Sequence, residues 1–146
     1  MNDAHVDATP KHLWIIGILA LLWSAMGAYD YLMSQTANAD YMAKFTPEQL
    51  EFYYGLPKWV VSAWAIGVWG GVFGSLFLLL RRGVAVYFYG ASLLGMVTAT
   101  VRNYFFADGM AVSGGAGEIA FSVVIFVVAV LLLVYSCRMK TRGVLH

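Results

Sequence analysis

Residues 59–80, WVVSAWAIGVWGGVFGSLFLLL, decide the fold of this chain because they contain no charged side chain. An α-helix rises about 1.5 Å per residue, so a stretch of this length can cross a hydrocarbon core of roughly 30 Å. Small residues recur in it at intervals of three and four, a pattern that lets two helix backbones approach closely in lipid. The stretch therefore predicts a membrane-spanning helix with a packed face.

Three other parts of the chain, residues 13–29, 83–101 and 119–137, also lack Asp, Glu, Lys and Arg. Over all 146 residues, 61% are hydrophobic and 12% charged, whereas about a quarter of the residues of soluble domains are charged. We therefore predict an all-α membrane protein, a four-transmembrane-helix bundle that forms a single domain over residues 1–146. The predicted spans are residues 13–32, 59–80, 83–106 and 118–137.

The distribution of Lys and Arg predicts the orientation of the bundle. With four spans, one side of the membrane receives most of these residues: Lys11, Arg81, Arg82, Arg138, Lys140 and Arg142. The other side receives Lys44 and Lys58. Because Lys and Arg accumulate in cytoplasmic loops, both termini are predicted to be cytoplasmic. Long apolar helices, rather than alternating strands, favour the bacterial inner membrane. The first apolar run is longer than the usual signal-peptide core of about 7 to 15 residues, so we expect it to be a membrane span and not a cleaved signal peptide.

Composition argues against several classes of protein. A net charge of +1 without a basic stripe gives no support for nucleic-acid binding. Cys137 is the only cysteine, and His5, His12 and His146 fall near the termini, so we predict no disulfide, metal centre or haem. Because no Ser/His/Asp or Cys/His set accompanies the outer segments, we predict that the protein is not an enzyme and has no cofactor.

The second predicted span carries the strongest packing pattern. Close backbone approach drives helix association in lipid, so small residues four apart mark contact faces. The pattern predicts a central helix or a contact between copies of the chain. Its members are Ala63, Gly67, Gly71 and Ser75, widened by Gly70 and Gly74.

The connection between the first two spans contains a helix signal of its own. Thr46 and Gln49 can cap each other's backbone, and Pro47 suits a first helical position. We predict a short aromatic helix over residues 46–54. It is interpreted as an interfacial anchor at the lipid headgroups, with a moving lid as the alternative.

Three ionisable residues extend the apolar spans at their outer ends: Asp30, Arg102 and Glu118. Ionisable side chains at such positions usually face the bundle interior or a wet cavity. We therefore predict that they converge beneath the outer surface, as a polar pocket or as an Asp30–Arg102 ion pair that only fixes helix register. The polar and aromatic residues available around them are Tyr29, Tyr31, Gln35 and Asn103.

Trp23 and Trp69 lie nearer the middle of their spans than the other tryptophans do. Tryptophan is enriched at membrane interfaces, so these two positions need another explanation. Packing against small residues is the favoured interpretation, and stacking on a ring-bearing ligand is the alternative.

The segments 23–31 (WSAMGAYDY), 34–36 (SQT), 45–50 (FTPEQL) and 142–145 (RGVL) together resemble a group of small four-span proteins of the bacterial inner membrane. Members of that group are mostly uncharacterised, and some carry a sugar-transporter label. The resemblance implies transport of a small polar solute. Because four helices seldom enclose a solute path by themselves, we predict a homo-oligomer in the lipid bilayer. A non-catalytic subunit of a larger membrane complex is the alternative.

Overall fold

The protein is described here by a computed structural model that covers residues 9–106 and 116–146, with the backbone alone at Tyr53, Phe106, Ala116 and Glu118. These residues form helices and turns, and none of them is in a β-strand. The all-helical prediction is therefore confirmed. The elements in chain order are α1 (Lys11–Gln35), α2 (Ala39–Met42), α3 (Pro47–Tyr54), α4 (Lys58–Leu79), α5 (Ala85–Val101), a π-helical segment (Arg102–Phe106) and α6 (Ala116–Thr141).

Within residues 9–106 and 116–146, three helical segments are long and apolar enough to cross a membrane: Lys11–Gln35, Lys58–Leu79 and Ile119–Thr141. The span predicted at residues 83–106 is divided between α5, which has 17 residues, and the π-helical segment, which has five. A 17-residue α-helix rises only about 26 Å, which is less than a hydrocarbon core of about 30 Å. The four-span count therefore stays a prediction.

The connection between α1 and α4 contains two short helices. The capping box at the start of α3 forms as expected from its sequence: the Thr46 amide donates to Gln49 Oε1 at 3.0 Å, and the Gln49 amide donates to Thr46 Oγ1 at 3.3 Å. The other helix, α2, was not predicted. Its start is capped by Asn38, whose side-chain oxygen accepts from the Tyr41 amide at 3.1 Å.

Glycines set the distance between α4 and α5. A Cβ atom added at Gly70 would lie 2.9 Å from the carbonyl oxygen of Phe88. One added at Gly95 of α5 would lie 2.5 Å from the carbonyl oxygen of Ala63. Real Cβ atoms do not come so close to a backbone atom, so these two helices can have this spacing only with glycine at both positions.

The opposite side of α4 packs against α1. A Cβ atom added at Gly71 would lie 3.0 Å from Ser24 Oγ, and one added at Gly17 would lie 2.5 Å from a methyl carbon of Leu79. The small-residue set of α4 thus makes contacts inside the chain's own bundle. Its members Ala63, Gly67, Gly70, Gly74 and Ser75 are buried, and Gly71 is half-buried.

The main buried cluster lies where the start of α1, the α4–α5 turn and the last residues of the chain meet. The His146 amide donates to the Arg81 carbonyl at 2.9 Å, and the Gly83 amide donates to the His146 carbonyl at 2.7 Å. The Arg81 side chain also donates to the Thr9 hydroxyl. We call the end of the bundle that holds Thr9, Arg81 and His146 the termini end. The opposite end, which holds the connection between α1 and α4, is the loop end. The cluster comprises Leu13, Leu78, Ala85, Tyr89, Met139, Val144 and Leu145.

Candidate functional site

Asp30 lies near the end of α1 at the loop end, where its carboxylate is bound by α2. The Tyr41 hydroxyl donates a hydrogen bond to Asp30 Oδ1. Asp30 is half-buried in this position. A hydrogen bond to a carboxylate is stronger than one between neutral groups, so this bond helps to hold α2 against α1.

The Tyr41 ring is the centre of an aromatic cluster at the loop end. It meets the Tyr29 ring edge to face, with centroids 5.9 Å apart, and it lies 5.8 Å from the Phe45 ring. The Lys44 ammonium lies 5.6 Å from the centroid of the same ring. Tyr41 was not predicted as a site residue, although Asn38, a preferred helix N-cap residue three positions before it, was a usable signal for a short helix.

The predicted pair between Asp30 and Arg102 does not form. Arg102 begins the π-helical segment, and its guanidinium donates to Asn103 Oδ1 at 3.4 Å. In the part of the chain that the structure describes, the Asp30 carboxylate is bonded to Tyr41 and not to Arg102. The reason is topological. α4 lies between α1, which carries Asp30, and α5, which precedes Arg102. In addition, Tyr41 of α2, a helix that the sequence analysis did not predict, binds the Asp30 carboxylate. The side chain of Glu118 lies outside the described residues.

Two of the remaining predicted aromatic residues pack between helices. Trp23 of α1 lies 6.1 Å from Phe121 of α6, measured between ring centroids. Tyr31 of α1 meets Trp64 of α4 edge to face at 5.0 Å. Trp69 is half-buried in α4. Contacts at these distances are typical of packed aromatic pairs.

A groove of about 460 Å³ opens at the loop end, between the end of α1, the end of α3 and the start of α4. Pockets for small molecules usually have volumes of about 300 to 1,000 Å³. Gln35 is the one predicted site residue in its lining. The groove is lined by Ser34, Gln35, Ala37, Tyr54, Leu56, Lys58, Val61 and Ser62.

The shape of the groove depends on how α1 ends. Ala37 has a left-handed backbone with φ of 50°. The Asn38 amide donates to the Met33 carbonyl at 3.1 Å, and the Ala37 amide donates to that of Ser34 at 3.3 Å. This pairing is a Schellman motif, which usually has glycine at the left-handed position. It turns the chain sharply away from α1 and leaves the side chains of the last turn facing the start of α4.

Polar and apolar groups line the groove in nearly equal measure. Ser34 is only 7% exposed, and no group in the described part of the chain hydrogen-bonds to its hydroxyl. Ser62 donates its hydroxyl proton to the Lys58 carbonyl at 2.9 Å, which leaves the lone pairs of its oxygen available. Lys58 is exposed and is the one formally charged residue in the lining. Such a set can bind a small molecule with several hydroxyl or carboxyl groups.

Among the described residues, no three His, Cys, Asp or Glu side chains gather as a metal site would require. No protein-family model, curated protein or solved structure matches this chain.

Proposed function

We propose that this chain is an inner-membrane protein of four spans, with cytoplasmic termini, that binds a small sugar-like solute in the groove at its loop end. In an oligomeric form it transports that solute across the membrane. The observation that carries the proposal is the groove, because it combines a suitable volume with a hydroxyl that no protein group binds, an amide and an ammonium group.

Two features support the topology. Contacts of Arg81 with Thr9 and His146 bring the start of α1, the end of α4 and the end of α6 to the same end of the bundle. An even number of crossings accounts for this arrangement. The same end carries most of the Lys and Arg residues, as the cytoplasmic side of a membrane protein does.

Labelling of single cysteines tests this topology. In a Cys137→Ser background, a membrane-impermeant maleimide should label Glu48→Cys in intact cells or spheroplasts. The same reagent should label Arg142→Cys only after permeabilisation. Labelling of both positions from outside would contradict the proposed topology. Glu48 and Arg142 are both exposed, so failure of the reagent to reach a buried side chain does not complicate the comparison.

Transport by one copy has a geometric difficulty, since α4 packs tightly against both α1 and α5 at its glycines. Four helices that pack on their own side chains fill the centre of a bundle. We therefore propose that a homo-oligomer forms the transport path. α6 presents an exposed apolar face to lipid or to a second copy, formed by Val123, Val124, Val127, Val130, Leu131 and Val134.

Uptake into proteoliposomes tests the proposed activity. Purified full-length protein should produce saturable uptake of at least one member of a broad panel of labelled sugars, polyols and sugar acids. Gln35→Leu removes an amide of the groove at nearly constant volume and should weaken uptake. The matched control is Thr98→Ala, because Thr98 lies on the exposed side of α5 and bonds only within its own helix. Absence of saturable flux over the whole panel would refute transport.

A role as a subunit of a larger membrane complex is the second candidate. The exposed face of α6 favours it, because that face offers more uncovered apolar surface than the other candidate spans. Purification from native membranes in mild detergent separates the two functions. A heteromeric partner in fixed stoichiometry supports the subunit role, and a homo-oligomer alone supports independent transport.

A further inference from the structure

We infer that the ligand of the loop-end groove is a small organic anion, a polyhydroxy carboxylate rather than a neutral sugar. This inference rests on the proposed function, because it specifies the solute that the same groove binds. It goes further by assigning a separate role to each polar wall of the groove.

The charge of the groove is the first argument. Lys58 is the one charged residue that lines it, and no carboxylate of the described chain faces Lys58 from the lining. An ammonium group on the rim of a groove attracts anions and is a poor partner for a neutral polyol. A carboxylate would therefore be the group that binds next to Lys58.

The position of Lys58 at the start of α4 is the second argument. α4 has no acidic residue in its first turn, and Pro57 provides no side-chain cap. The positive end of the helix dipole is consequently left uncompensated at the same place as the Lys58 ammonium. Both charges act in the same direction, so the α4 side of the groove favours a carboxylate.

The opposite wall, at the end of α1, has different chemistry. Ser34 lines the groove with a hydroxyl that has no hydrogen-bond partner in the described part of the chain, and Gln35 adds an amide that can both donate and accept. Because no buried polar side-chain atom of the described residues lacks a partner, this hydroxyl is open to solvent, and a ligand hydroxyl group can bind it in place of water. This wall is therefore suited to the hydroxyl groups of a ligand whose carboxylate lies at Lys58.

Apolar residues close the remaining side. Tyr54 and Leu56, which end and follow α3, line the groove together with Val61 of α4. Carbon–hydrogen faces of a polyhydroxy chain can pack against such residues. The groove thus has a cationic wall, a hydrogen-bonding wall and an apolar wall, and a hydroxylated carboxylate complements all three.

Gluconate and sorbitol test the inference, because the two molecules differ only in whether one terminal carbon is a carboxylate or a hydroxymethyl group. We expect the full-length protein in lipid nanodiscs to bind gluconate about 10-fold more tightly than sorbitol, a modest ratio since Lys58 is exposed to solvent. The preference should decrease as the salt concentration rises, because an exposed charge is screened.

Three variants assign the preference to Lys58. Lys58→Gln should lower the affinity for gluconate about 10-fold and leave that for sorbitol unchanged. Lys58→Arg should keep most of the preference. The control Lys44→Gln changes the other loop-end lysine, which lies over the Tyr41 ring and does not line the groove, and should keep the preference in full.

Each outcome decides a separate point. Equal binding of the two solutes by the unmodified protein overturns the anion inference and leaves the proposed function standing. A preference for gluconate that survives in Lys58→Gln overturns the assignment to Lys58. If neither probe binds while another panel member is transported, the inference fails alone. If no member of the panel binds or is transported, the proposed function fails as well. The comparison within the unmodified protein does not depend on whether any variant folds.

Discussion

Gly95→Ala adds one methyl group at the closest approach of α4 and α5. The new Cβ atom would lie 2.5 Å from the Ala63 carbonyl oxygen and 2.8 Å from the Gly67 amide nitrogen. Ordinary van der Waals contact begins at 3.4 Å, so the two helices must separate by about 1 Å, enough to forfeit a quarter to a half of the attraction of each contact there. The obstructing atoms are backbone, so no side-chain rotation can relieve the clash.

The expected cost follows from two opposing effects. Overpacking of a tight site typically costs about 1 to 3 kcal/mol. Alanine has a better helix propensity than glycine by about 1 kcal/mol, which offsets part of that cost. The separation also lengthens the hydrogen bond from the Ser92 hydroxyl to the Gly67 carbonyl. We expect a net loss of about 1 to 2 kcal/mol in the free energy of unfolding.

Gly90→Ala is the matched control, because Gly90 lies in the same helix and a Cβ atom there would meet nothing within 4 Å. This variant should be neutral or stabilised by up to about 1 kcal/mol. The measurement is reversible unfolding in mixed micelles, with the free energy taken from the denaturing-detergent titration. Equal stability of Gly95→Ala and Gly90→Ala would refute the claim that α4 and α5 pack through direct backbone contact.

Three further predictions test other parts of the structure. Ala37→Gly should stabilise the protein by about 0.5 to 1 kcal/mol in the same titration, because glycine adopts a left-handed backbone without strain. A loss of stability would contradict the Schellman turn. Tyr41→Phe keeps the ring but removes the hydroxyl that donates to Asp30. Amide hydrogen exchange of the α1–α3 connection should accelerate about 10-fold or more, while the global free energy of unfolding changes little. Unchanged exchange would rule out the docking of α2 by this bond. Leu145→Ala should cost about 2 kcal/mol because Leu145 is buried at the termini end. The control Leu94→Ala, on the exposed side of α5, should change the stability by less than about 0.5 kcal/mol. Equal effects would show that the end of the chain is not packed as described.

The candidate site was only partly accessible from the sequence. Gln35 was predicted because it follows an apolar span, and it does line the groove. Lys58 and Ser34 were missed as site residues, since a lysine before a span has the signature of a topological signal and a serine in a helix has no distinctive pattern. Their role depends on the turn at Ala37, which brings the end of α1 opposite the start of α4. Alanine rarely adopts a left-handed backbone, so the sequence does not predict this turn.

The predicted Asp30–Arg102 pair does not form, for a related reason. Helix periodicity shows which residues share a face of one helix, but not which helices are neighbours. α4 separates α1 from α5, and Tyr41 from a four-residue helix occupies the Asp30 carboxylate. An isolated helix of four residues is too short to be stable, so α2 depends on this docking in addition to its Asn38 cap.

The sequence by itself determined the helical class and the glycine positions of α4. Of the four spans that it predicts, three correspond to helices of the described residues that are long and apolar enough to cross a membrane. These properties depend on the cost of exposing backbone polar groups to lipid and on side-chain size, which are local quantities. Tertiary structure alone decided that α4 lies between α1 and α5, that the last residues of the chain close the termini end, and that Ser34, Gln35 and Lys58 share one groove. Those results depend on contacts between residues far apart in the chain, and such contacts follow from the combined packing of all the helices.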